Sequence, residues 1–248
     1  MKTLVLSILM TATALSPVFA QNATSFKENS AFTFGEELDY KFTYSLYLNI
    51  PVGKINMKVK KDPKILSGDK HYHIAANGKT FMFYDPFFKV RDEYESYVNT
   101  KTFTPKASIR IVREGNYRAK EYIVYNHKKG LLKNKKGKTF KIPYLTQDIL
   151  SSIYLARTFD YGNASIGDSF MLNVFIEDST YFVGLKYMGK EQVNLYGKTY
   201  NCLKLKPILI VDRVFKSDED MTMWVSDDPN KIPIVVETGI SVGSIKVK

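Results

Sequence analysis

The alternation of apolar and polar positions along this chain is dominated by a period of two. Leu38, Tyr40, Phe42, Tyr44, Leu46, Leu48 and Ile50 fall on one side, and Asp39, Lys41, Thr43, Ser45 and Asn49 on the other, with Tyr47 the exception. Successive strand side chains point to opposite faces, so the stretch predicts a half-buried strand of about 13 residues. A strand of that length curves around something, as in a barrel or a strongly twisted sheet. After Pro51, Ile55, Met57 and Val59 alternate with Lys54, Asn56, Lys58 and Lys60, which predicts a second strand with a lysine-lined solvent face. Further strands are expected at 71–77, 80–84, 87–99, 106–113 and 117–126, and then at 169–177, 180–188, 192–195, 199–206, 208–216, 221–225, 234–237 and 244–247. Turn signals such as Ser67-Gly68-Asp69, Asn77-Gly78, Asp85-Pro86 and Glu114-Gly115-Asn116 separate them.

One segment departs from this period. In 144–159, Ile149, Leu150, Ile153 and Tyr154 recur at helical spacing. Thr146 is the expected N-cap and Leu145 with Leu150 the expected hydrophobic staple, while Asp148 and Arg157 suit the two ends of the helix dipole. The predicted fold is all-β and mainly antiparallel, a curved sheet or barrel-like body with one covering α-helix near 146–158. It is expected to be a single β-rich domain over 34–248, with halves 34–142 and 165–248 joined by the helix and a tail at 21–33.

The first twenty residues read as an export signal. Lys2 supplies the positive start, Leu4 to Leu15 a mostly apolar run, and Val18 and Ala20 the small residues at the minus-three and minus-one positions of a cleavage site. The run is short for a membrane span, no later segment reaches one, and no Cys follows the leader to carry a lipid. The expected location is therefore the periplasm, after cleavage near Ala20. Cys202 has no disulfide partner, so stability must come from the core, and its strand-like setting reads as a small buried apolar residue.

Charge narrows the partners. The chain carries 36 Lys and Arg against 25 Asp and Glu, net +11, and only six of the cations are Arg. Phosphate recognition favours Arg forks, and an exported protein has little call for nucleic acid, so none is expected. The densest basic run, 127–141, holds seven Lys and no acid. It reads either as a patch facing lipopolysaccharide or another anionic glycan, or as a solvated hairpin whose like charges prevent edge pairing.

Catalytic patterns are sparse. There is no Gly-x-Ser-x-Gly elbow, phosphate loop, dinucleotide fingerprint or His-Glu-x-x-His helix, and no cofactor is expected. His71 and His73 share a strand face and are the weak metal candidate, which His127 or a carboxylate would have to complete. Acids at Glu36-Glu37, Asp92-Glu93, Glu95, Asp218-Glu219-Asp220 and Asp227-Asp228 allow a glycosidase pair only if two face each other. The aromatic excess carries more: 17 Tyr and 16 Phe, with Phe81, Phe83, Phe87 and Phe88 crowded into one stretch. These four, with Tyr40 and Tyr44, are the candidate ligand-binding residues. They either line a cavity, form a sticky rim, or are ordinary core.

Several segments resemble a known group when taken in order. They are Gly35 to Tyr40, Asp92 to Tyr97, Thr146 to Tyr154 with Arg157, and Trp224 to Asp228 with Ile232-Pro233 and Gly243-Ser244. They are similar to an exported domain of unknown function found in Bacteroidetes and other Gram-negative bacteria. The resemblance implies a periplasmic, mostly β domain like lipocalin or lipoprotein-carrier barrels, and no catalytic residues. The leading expectation is a binding or carrier module for a lipid or other hydrophobic small molecule. The alternatives are an envelope-assembly interaction protein, or a hydrolase using carboxylates or the His71/His73 pair.

Overall fold

The computed structural model describes residues 29–45, 48–208, 221–239 and 244–248. The expected leader, the expected strand beyond Ile208 and the acidic run Asp218-Glu219-Asp220 lie outside the described residues.

Among the described residues, fifteen strands form one sheet. In chain order they are β1 (Glu37–Ser45), β2 (Asn49–Val59), β3 (Lys64–Leu66), β4 (Asp69–Thr80), β5 (Arg91–Asn99), β6 (Pro105–Glu114), β7 (Tyr117–Asn126), β8 (Leu131–Asn134) and β9 (Thr139–Lys141). After helix α1 (Ile149–Ala156) come β10 (Ser169–Ile176), β11 (Ser179–Leu195), β12 (Lys198–Ile208), β13 (Met221–Ser226), β14 (Pro233–Gly239) and β15 (Ser244–Val247). The order across the sheet is β10-β11-β12-β13-β14-β15-β1-β2-β4-β5-β6-β7-β8-β9, with β3 paired to β4 and every ladder antiparallel. Strands from both halves of the chain thus share one curved sheet, joined where β15 pairs with β1.

The sheet bends without closing. β10 and β9 are its two edges, and among the described residues no ladder joins them. Gln147 bridges the gap in part: its N–H donates to the Asn173 carbonyl at 2.7 Å, and its carbonyl accepts from Phe175 N–H at 2.8 Å. Phe175 then packs with Ile123, Tyr125, Leu132 and Ile142. Side chains therefore seal the seam. The basic run folds as the β8–β9 hairpin at the opposite edge, where an exposed row of lysines blocks further pairing.

Four expectations need correction. The 13-residue strand is two, β1 and β2, turning so that Ser45 faces Asn49, and Pro51 lies inside β2 opposite Thr43. A register shift after Phe42 accommodates it, since Pro at a bulge forfeits no ladder bond. Asn77-Gly78 is no turn but mid-strand, paired to β2 and β5 on both sides. The expected strand at 80–84 is instead the end of β4 followed by a 3₁₀ turn at Met82–Tyr84. Finally, 180–188 and 192–195 are one strand, kinked between Tyr187 and Lys190, where Gly189 adopts φ +100°.

The helix is shorter than expected and starts later. Asp148 caps it, accepting from Leu150 and Ser151 N–H at 2.9 Å each, while the Ser151 hydroxyl returns a bond from Asp148 N–H. Thr146 is spent elsewhere, its hydroxyl donating to the Pro143 carbonyl. Asp at the cap with Ser three residues on is a capping box, and it outcompetes a Thr two residues upstream.

A candidate ligand cleft beneath the helix

The alternation that makes each strand also decides what faces inward. Tyr40, Ile55, Ala76 and Tyr94 come from four adjacent strands and share the concave side, as do Val183, Leu205, Met223 and Val236 from the other half. At one end the concavity is packed solid. Phe32 meets Tyr72 and Tyr154 edge to face at 5.1 and 4.9 Å, and Val59, Val98 and Phe103 fill the remainder.

Two buried polar anchors hold α1 across the concave face. At its start, the Ser96 hydroxyl on β5 donates to Asp148 at 2.6 Å. Burial pushes the Asp148 carboxyl above the usual range, with the bonds from Ser96, Ser151 and Leu150 opposing. At its end, Arg157 donates to both oxygens of Glu36 at 2.7 Å, to the Ala31 carbonyl at 2.8 Å and to the Asn230 carbonyl at 3.0 Å. Its guanidinium also lies 5.5 Å from the Phe32 ring centre and 5.2 Å from that of Tyr154.

Anchored in this way, the helix buries one side and leaves the other facing empty space. Leu150, Tyr154 and Leu155 enter the core, whereas Ile149, Ile153 and Ala156 are half-buried. Two apolar compartments lie against that second side. One, about 430 Å³, is bounded by Leu172, Val183, Leu205, Met221 and Val225; the other, about 310 Å³, by Tyr40, Ile55, Met57, Ala76 and Tyr94. Ile149, Ile153, Met223, Pro233 and Val236 border both, so they are two arms of one cleft divided by a turn of the helix. Native cores rarely keep voids larger than a water molecule, and these volumes are those of ligand sites.

Tyr40, with Asp92 and Tyr94, is one of the polar residues lining the smaller arm. Its hydroxyl is buried and makes no hydrogen bond among the described residues, and burial pushes its ionisation up to about 12. The hydroxyl therefore stays neutral at physiological pH, buried without a partner among the described residues.

The other residues singled out from sequence are scattered. Tyr44 is half-buried farther along β1, opposite Ile50 and Ile245, and lines neither arm. Phe81 is half-buried and borders a separate groove of about 530 Å³ with Lys41, Lys54, Tyr196 and Lys248. Phe83 and Phe87 are 78% and 82% exposed and Phe88 is exposed as well, so these three line no interior; the 3₁₀ turn swings them outward. His71 Nδ1 sits 2.9 Å from the Asp69 carbonyl, and His73 Nε2 sits 2.9 Å from Glu95 while its ring stacks on Tyr97. His127 Nε2 is bonded to the Pro105 carbonyl. Among the described residues no three His, Cys, Asp or Glu side chains converge, so the histidine pair lacks the further ligand it needed.

The acids are similarly occupied. Asp92 accepts from Arg113 N–H, Glu93 pairs with the Arg113 side chain, and Asp227 with Lys190. Glu114 is raised by burial and by its neighbour Asp92. Cys202 is fully buried, its thiol pushed up to about 11 by burial, which makes it inert. Sequence reasoning missed Ile149, Ile153, Met223 and Val236 as cleft residues. Their signal, alternating apolar positions and an apolar helix face, is the same one that marks a filled core.

Comparison with known proteins places this geometry. The family described as "Protein of unknown function (DUF3108)" matches residues 39–248. Among curated proteins none matches. A β-barrel-like protein of the DUF1849 domain of unknown function, from Brucella abortus, superimposes with a TM-score of 0.50 at 10% identity, covering 86% of this chain and 94% of that one. A protein described as a "putative lipoprotein", from Parabacteroides distasonis, is 12% identical with a TM-score of 0.36, covering 87% and 93%. No helix among the described residues is long and apolar enough to cross a membrane.

Proposed function

The chain belongs to the DUF3108 family, and from that premise we propose that it is an exported, periplasmic binding or carrier protein for a hydrophobic or amphipathic small molecule. The site is the two-armed cleft between the concave sheet and the Ile149–Ile153 face of α1. The observation that carries this reading is the pair of apolar arms, about 430 and 310 Å³, beside a core otherwise closed by aromatic packing. Apolar burial at about 25 cal/mol per Å² is the driving force such a cleft offers a guest.

Titration with a fluorescent fatty acid tests the reading. Saturable binding is expected, competed by unlabelled long-chain acids and alcohols. It should be lost in Val236→Trp, which puts an indole where the arms meet. No saturable binding, or binding unchanged in that variant, overturns it.

A further inference from the structure

The strand directions gather six exposed apolar side chains at one end of the sheet. β1 ends and β2 begins there, so Leu48 and Ile50 belong to that end, and β4 ends there at Thr80, opposite Gly53. The segment leading on to β5 carries Met82, Phe83, Phe87 and Phe88, which are 84%, 78%, 82% and 55% exposed. The hydrogen bond from Phe81 N–H to the Val52 carbonyl ties that segment to β2. The smaller cleft arm reaches the same end, since Gly78 and Asp92 lie within two residues of the ends of β4 and β5 there.

Just inside this rim, on the convex face, a row of cations crosses five adjacent strands in register. Lys41 lies between Lys248 and Lys54, Lys54 faces Lys79, and Lys79 faces Arg91. Arg91 is neutralised by Asp85 at 2.6 Å. Lys41, Lys54 and Lys79 are exposed, and no carboxylate among the described residues pairs with any of them. Lys41 and Lys248 each lie 5.9 Å from the Tyr196 ring centre, which offsets part of their repulsion. Like charges directly opposite on neighbouring strands are destabilising, and among the described residues no ring or carboxylate offsets this for Lys54 and Lys79.

We propose that this end is a docking surface for an anionic lipid bilayer: the Leu48, Ile50, Met82, Phe83, Phe87 and Phe88 rim enters the headgroup boundary while Lys41, Lys54 and Lys79 meet the lipid phosphates. Apolar side chains at the tip with cations behind them match the layering of a membrane interface. The surface rests on its own observations, and the experiment separates it from the ligand reading.

Sedimentation with phosphatidylcholine vesicles, with and without 30% phosphatidylglycerol, is measured on the protein purified in its exported form. Binding is expected only to the anionic vesicles, and it should weaken as salt rises. Lys54→Gln and Lys79→Gln should each lower partitioning about fivefold, from about 1 kcal/mol per lysine near an anionic surface. Phe83→Ser with Phe87→Ser should abolish partitioning and leave fatty-acid binding intact, whereas Val236→Trp should do the reverse. The proposal is overturned by absence of binding to anionic vesicles, by binding indifferent to both variant sets, or by a dimer in solution that Phe87→Ser dissolves.

Discussion

Arg157 and Glu36, 121 residues apart, meet as a two-pronged ion pair whose guanidinium is almost wholly buried. The pair fastens the end of α1 to the segment that leads into β1. With the bonds to Ala31 and Asn230, every nitrogen of the guanidinium has an acceptor. The helix is thereby fixed at a distance that leaves the cleft open behind it.

Breaking that pair should be costly. Removing one partner strands the other in a low-dielectric site, an effect of about 3–5 kcal/mol. Glu36→Gln and Arg157→Ala are each expected to lower the urea midpoint accordingly, and the double variant should lose much less than the sum. Arg157→Lys should rescue little, because an ammonium cannot serve two carboxylate oxygens and two carbonyls in that fork. Additive losses would show that the two residues act separately.

Asp148 makes stability depend on pH in an unusual direction. Its folded carboxyl titrates above the ordinary value of 3.8 because it is buried. Between the unfolded and folded values the native state holds the extra proton, so stability is greatest below the unfolded value and falls as pH rises through the folded one. Asp148→Asn keeps an efficient cap and carries no charge. Unfolding of both proteins from pH 3.5 to 7 should show the variant gaining on the parent as pH rises; a gap that stays constant or shrinks refutes this.

Tyr40→Phe should separate stability from binding. The buried hydroxyl lacks a partner among the described residues, so deleting it removes a desolvation penalty of about 1 kcal/mol and should raise the melting temperature. The hydroxyl oxygen is closed off from the cleft, so the same change should leave the affinity for a long-chain alcohol or acid unchanged. Calorimetry with matched ligands measures both. A destabilised variant would mean that the hydroxyl is satisfied within the protein.

Much of the fold was legible because a half-buried sheet writes its faces into the sequence. Met221, Met223 and Val225 against Thr222 and Trp224 give β13, and Ile149 with Ile153 gives a helix face. What failed was local competition. Asp148 displaced Thr146 as cap, and Pro51 looked like a break when a shift in register absorbed it inside β2. The site was legible only in part, because periodicity reports which side a residue faces and not whether anything fills the space before it. Phe83 and Ile153 look equally apolar in sequence, yet one stands in solvent and the other over a void.

The two sides of α1 provide the most direct check of that void. Leu150 is 3% exposed and packs in the core while also bordering the smaller arm, so Leu150→Ala should cost about 2–5 kcal/mol, mostly the transfer free energy of a fully buried side chain. Ile153 sits one turn on and borders both arms of the cleft. Its truncation merges existing space rather than creating it, and half-burial limits the transfer loss to about 1 kcal/mol. Ile153→Trp should in turn be tolerated, because the arms accept the ring, and it should displace the fatty-acid probe. Chemical unfolding of the three variants measures the contrast. Equal costs for Leu150→Ala and Ile153→Ala, or a severely destabilised Ile153→Trp, would mean that the helix is packed on every side and that no guest fits beneath it.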